Sequence, residues 1–169
     1  SANDNIDPDF FKLTAELGRW VGEQGHTLVF GGSNQGLMEC IGRAAHEAGA
    51  QTVGVVPRIL EAGGRVSDSV DVNIACDNLS DRKELILARS DVFVALPGGI
   101  GTLDEVFTVA AAHTIGYHRK RVVLYNMKGF WDRAIDMLDD LQCRGFIRGR
   151  WTDFITVADS LDEVVAALG

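Results

Sequence analysis

Short runs that are apolar throughout alternate along this chain with stretches whose apolar residues recur at helical spacing. "TLVF" (Thr27 to Phe30), "TVGVV" (52–56), "DVFVAL" (Asp91 to Leu96) and "RVVLYN" (Arg121 to Asn126) are the clearest runs, with "VDVNIA" (70–75) and "FITVA" (154–158) beside them. A strand with no polar face needs cover on both sides, which a parallel sheet wrapped by helices supplies. Helical spacing is met from Asp7 to Gly25, where Phe10, Leu13, Leu17, Trp20 and Val21 share a face and Asp7-Pro8 supplies a cap and a first turn. Further helices are expected from Gly36 to near Gly49, over 81–90, from Thr102 to about Gly116, over 130–142 and from Ser160. Pro57 to Ser69 reads as a loop. The fold expected is therefore α/β: one single-domain, doubly wound, Rossmann-like parallel sheet over 1–169, with helices on both faces. Such folds open on a central strand and this chain opens on a helix, so a first strand is expected upstream of Ser1.

Size and charge narrow the function. A chain of 169 residues favours one domain and is long enough to bury a full core without staples. A net charge of −8 argues against a nucleic-acid scanner, which needs a basic surface to neutralise phosphates. It leaves room for one small anion held by backbone N–H groups. Cys40, Cys76 and Cys143 are odd in number and widely spaced, which fits reduced thiols in a cytoplasmic protein. His26, His46, His113 and His118 have no metal spacing, and no apolar run is long enough to cross a membrane. No metal, no cofactor, no nucleic acid and no membrane are expected as partners.

Chemistry concentrates at two glycine-rich strand ends. In "LPGGIGTLDEVF" (Leu96 to Phe107) a turn between strand and helix needs one or two glycines, and Gly98, Gly99 and Gly101 are three. Together they let the backbone approach a ligand, and the helix that follows adds its positive end. Thr102 and Glu105 also have the spacing of a capping box, in which both side chains are structural. Ser160 and Glu163 repeat that spacing with no glycines before it. "GGSNQGLM" (Gly31 to Met38) has the same build after another strand, and two such turns on one sheet edge imply a shared crevice. Neither the P-loop nor the dinucleotide fingerprint is met, which disfavours a nicotinamide-dependent oxidoreductase. In "SDRKELI" (80–86), Arg82 and Lys83 fall in a first helical turn, against the dipole. They are either a solvated pair or, for Arg82, a fork aimed at a phosphate or ribose.

These segments resemble the LOG ("Lonely Guy") family, often labelled lysine-decarboxylase-like. Its hallmark PGGxGTxxE is met from Pro97 to Glu105, and its GGGxxGLMG resembles Gly31 to Glu39, with Ser33 for the third glycine and Glu39 for the last. "GVVPRIL" from Gly54 and "LYNMKGFWD" from Leu124 are similar to family segments, while Leu79-Ser80-Asp81 stands where the family has Met-His-x before Arg-Lys. The resemblance implies hydrolysis of the N-glycosidic bond of a nucleoside 5′-monophosphate, AMP or a cytokinin riboside monophosphate, by a cytoplasmic homodimer. It implies Arg82 and Glu105 as catalytic residues. Substrate contacts are expected from Gly32, Ser33, Gly36, Met38, Lys83, Gly98, Gly99, Ile100, Gly101 and Thr102. The rival reading is a non-catalytic carrier of a nucleotide or of molybdenum cofactor, a group of proteins with a related glycine-rich turn. No lysine has a context that suggests a Schiff base, so decarboxylation is not implied by the family label.

Overall fold

A computed structural model describes residues 3–169. The strand expected upstream of Ser1 lies outside the described residues. The chain divides into two compact units, 1–90 and 91–169.

The first unit runs α1 (Pro8–Glu23), β1 (Thr27–Phe30), α2 (Gly36–Glu47), β2 (Gln51–Pro57), α3 (Arg58–Ala62), β3 (Val72–Cys76) and α4 (Leu79–Arg89). Its strands are parallel in the order β1-β2-β3, with Phe30 opposite Gly54 and Pro57 opposite Cys76. The central strand β2 is buried from Thr52 to Pro57, as its unbroken apolar run requires. Asp7 caps α1 by accepting from the Asp9 N–H at 3.0 Å, with Pro8 at the first position. Helices α1 and α2 touch through small residues: a Cβ on Gly18 would lie 2.7 Å from the Ala44 Cβ. The expected loop from Pro57 to Ser69 contains α3, because Pro57, with φ −59°, supplies a preset turn into it.

Between β2 and β3 the buried Thr52 and the exposed Asp71 and His46 form a polar network that fixes the chain. The Asp71 carboxylate accepts from the Thr52 N–H at 2.8 Å and from its hydroxyl at 3.0 Å, and pairs with His46 Nδ1 at 3.2 Å. Backbone and hydroxyl donation from Thr52 holds the Asp71 carboxyl below its ordinary value, with His46 adding to the same effect.

The second unit runs β4 (Phe93–Ala95), α5 (Ile100–Thr114), β5 (Val122–Tyr125), α6 (Asp132–Cys143), β6 (Ile155–Ala158) and α7 (Leu161–Leu168). Its strands are also parallel, in the order β4-β5-β6. All four residues of the central strand β5 are buried, as are Trp131, Leu138, Trp151 and Ile155, the last paired with Val122. The segment "LYNMKGFWD" has a structural purpose here. Asn126 accepts from the Trp131 N–H at 2.7 Å and donates to Asp132 and Asp159, each at 2.9 Å. One side chain thereby ties the end of β5 to the start of α6 and the end of β6. The fold class is α/β with parallel sheets, as the alternation of the sequence requires.

Candidate functional site

The first turn of α5 departs from the capping-box expectation. The helix begins at Ile100 with Gly99 as its cap residue, and no side chain bonds the cap. The first intrahelical bond runs from the Leu103 N–H to the Gly99 carbonyl at 3.1 Å. Thr102 is therefore the third residue inside the helix, and Glu105 lies a turn further on, where neither can cap. The physical reason is that a first-turn N–H needs no helical partner, so Ile100 and Gly101 can join the helix without losing a bond. By contrast, Ser160 does cap α7, accepting from the Glu163 N–H at 3.2 Å. Glu163 reaches back to the Asp159 N–H at 2.8 Å. One spacing, T/S-L-D-E, therefore caps at one helix and not at the other.

This leaves the N–H groups of Gly99, Ile100, Gly101 and Thr102 without intrahelical partners, at the positive end of a fifteen-residue helix. A Cβ on Gly99 or Gly101 would meet nothing within 4 Å, so there is space for a group to approach the backbone from outside. Gly98 is required for packing instead, because a Cβ there would collide with the Thr102 hydroxyl. Ile100 is 82% exposed. Such a turn, at the carboxyl end of a parallel strand, suits a phosphate or other small anion.

In the first unit the glycine-rich turn is more embedded. Gly32 has φ +68°, and a Cβ on it would lie 2.7 Å from Val56 Cγ2. Ser33 is buried and bridges Val66, while the Ser67 N–H donates to the Gly32 carbonyl at 2.8 Å. Gly36, with φ +58°, opens α2, and its N–H donates to Asp4 Oδ1 at 2.8 Å. The loop at 63–67 and Asp4 are thus part of this turn, and sequence reading missed both. The glycine pair Gly63-Gly64 inside the expected loop was the one available signal.

Arg82 resolves the puzzle of a cation in a first turn. Asn78 caps α4 by accepting from the Ser80 and Asp81 N–H groups. The half-buried Arg82 side chain reaches the ends of the strands, where Nε donates to the Val55 carbonyl at 3.0 Å and Nη2 to the Gly31 carbonyl at 3.3 Å. A Cβ on Gly31 would collide with that guanidinium and come within 2.6 Å of Met38 Sδ. Arg82 is therefore not one of a solvated pair, and Gly31, Met38 and Arg82 are brought together at the carboxyl edge of β1 and β2. Lys83 follows it, half-buried.

Fold and turns together define an α/β protein with a glycine-rich turn after a parallel strand in each of its two units. Comparison with known proteins makes the class specific. A family model described as "Possible lysine decarboxylase" matches residues 38–168, and the chain belongs to this lysine-decarboxylase-like (LOG) family. It is 32% identical over 159 residues to a cytokinin riboside 5′-monophosphate phosphoribohydrolase of Mycobacterium tuberculosis, covering 94% of this chain and 85% of the relative. A rice enzyme of the same name, LOG, is 35% identical over 153 residues, covering 90% of this chain and 63% of its own length. Among solved structures, the molybdenum cofactor carrier protein of Chlamydomonas reinhardtii is similar with a TM-score of 0.76 at 27% identity, covering 99% of this chain and 91% of the carrier.

Proposed function

We propose that this protein is a phosphoribohydrolase that cleaves the N-glycosidic bond of a nucleoside 5′-monophosphate, AMP or an N6-modified AMP of the cytokinin type. Water supplies a hydroxyl to C1′ of the ribose and a proton to the departing base, giving free base and ribose 5-phosphate. The observation that carries this reading is the first turn of α5, which no side chain caps and which has open space above Gly99 and Gly101. The names of the relatives at 32% and 35% identity support it. In this reading the N–H groups of Gly99, Ile100, Gly101 and Thr102 hold the 5′-phosphate, with Gly98 keeping the turn tight. Binding energy at the phosphate, away from the reacting carbon, positions the sugar.

Cleavage develops positive charge on the ribose, as in glycoside hydrolysis. Glu105 meets that charge as a carboxylate, or orients the attacking water. Arg82 binds the phosphate or ribose through its fork of donors. Gly32, Ser33, Gly36, Met38 and Lys83 form the nucleotide-binding surroundings in the first unit. The decisive test follows base and ribose 5-phosphate release from AMP and isopentenyl-AMP. Because Glu105 does not cap α5, Glu105→Gln is expected to lower turnover by about a hundredfold or more, with the melting temperature held. Loss of both together would return Glu105 to a structural role.

A second reading, a non-catalytic carrier, is favoured by the likeness to the molybdenum cofactor carrier protein. Tight ligand binding without base release in the same experiment would establish it. The protein is further read as a homodimer of the cytoplasm, and light scattering giving twice the mass of one chain checks the first part. Among the described residues no helix is long and apolar enough to cross a membrane.

A further inference from the structure

Helices α1 and α2 end side by side on acid, where the helix dipole favours base. Glu23 is the last residue of α1 and Glu47 the last of α2. A carboxylate there meets the negative end of its own helix, which is unfavourable. The two helices run parallel and in close contact, with Gly18 against Ala44 and Gly22 against Ala48. Their carboxyl ends are therefore neighbours, and each glutamate also meets the charge of the other.

Four residues before each glutamate, ~6 Å back along the axis, stands an arginine: Arg19 on α1 and Arg43 on α2. All four side chains are exposed and rim a groove of about 390 Å³ between the helices, lined also by Ala15, Ala44 and Ala48. Among the described residues none of the four is in an ion pair, although each arginine has a glutamate at the i,i+4 position. Base before acid is the weaker order for such a pair on a helix. The face thus presents two cations at one level and two anions at the next, above small side chains that let another backbone come close.

We propose that this α1–α2 face is an interface between two copies of the chain, in which the arginines of each copy pair with the glutamates of the other. The inference rests on the homodimer reading, to which it adds the surface, and is independent of the hydrolysis. An anion would answer the arginines and leave the glutamates unpaired, whereas a second copy of the same face answers both. A two-fold axis lying in the face and perpendicular to the helices reverses the order of the two levels. Arg19 then stands over the partner's Glu23 and Arg43 over the partner's Glu47, and reciprocally, so four ion pairs form where one chain has none. The helices also meet antiparallel, with their dipoles in attraction. The other two-fold in the face, parallel to the helices, sets arginine on arginine and is disfavoured.

The test is sedimentation velocity over a concentration series, at roughly 0.05 M and 0.5 M salt. It compares the wild type, Arg19→Glu with Arg43→Glu, Glu23→Arg with Glu47→Arg, and an equal mixture of the two variants. The wild type is expected to associate, more weakly at the higher salt. Each variant is expected to associate about tenfold or more weakly than the wild type, because like charges now face each other. The mixture is expected to recover the wild-type affinity, since an all-acidic face meets an all-basic one. Arginine at the two helix ends suits the dipole, so the second variant should keep its melting temperature and reads the face on its own. Association that is insensitive to salt, variants as tight as the wild type, or a mixture no tighter than its components overturns the inference. Wild-type protein with the mass of one chain at every concentration overturns the homodimer reading and this inference with it, so the two failures are told apart by the wild type alone.

Discussion

Arg82 starts in the first turn of α4, where a cation opposes the helix dipole, and its guanidinium leaves that turn to hold the Val55 and Gly31 carbonyls. The absence of a side chain at Gly31 is what admits it. Gly31→Ala places a methyl where Nη2 now sits and is expected to displace the guanidinium, so its kinetic loss should match that of Arg82→Ala. The double variant should then be no worse than either single one, because both remove the same contact. Additive losses in that cycle would show Gly31 and Arg82 acting independently. Arg82 was marked in the sequence by its misfit with the dipole, whereas the carbonyls that it reaches belong to residues 27 and 51 positions earlier and leave no local trace.

Helix starts give the lesson at the scale of elements. Thr102-Leu103-Asp104-Glu105 and Ser160-Leu161-Asp162-Glu163 have one spacing and two outcomes. At α7 the serine caps, while at α5 the helix begins two residues earlier, at Ile100, and the threonine is interior. Ser160→Ala is expected to cost about 1 kcal/mol of stability by losing a cap. Thr102→Ala loses no cap and should cost less in a denaturant titration, and because it keeps the backbone N–H, KM for the nucleotide should stay within about twofold of wild type. Glycines announced both the strand-to-helix turns, but local pattern could not say where the first helical residue falls, since a glycine is tolerated in a first turn as readily as before it.

For the whole molecule the two depressed groups set an acid profile with two steps. Burial lowers the His118 value below its ordinary 6.5, with repulsion from His113 and Lys120 adding to it. The fold therefore prefers the neutral ring, and its contribution is present above pH 6.5 and is lost as pH falls below that toward the folded value. Asp71 is held below its ordinary 3.8, so its contribution is present above 3.8 and is lost as pH falls through the folded value. Melting temperature measured from pH 8 downward should fall first below about 6.5 and again below about 4. His118→Gln should remove the first step, and Asp71→Asn the second. A profile that is flat from pH 8 to 5 in the wild type would contradict the His118 assignment.

Legible in the chain itself were the α/β class, the order of its elements apart from α3, the family and the two glycine-rich turns. Each of these rests on periodicity or on residues within a dozen positions of one another. The tertiary structure alone decided that Ser33 is bridged to Val66, that Asp4 meets the start of α2 and that Arg82 lies on the strand ends. It also decided which of two identical spacings is a cap. Those outcomes depend on which distant backbone groups are brought alongside a side chain, and hydrogen bonds of that kind are chosen by the packing of strands and not by the chain's local pattern.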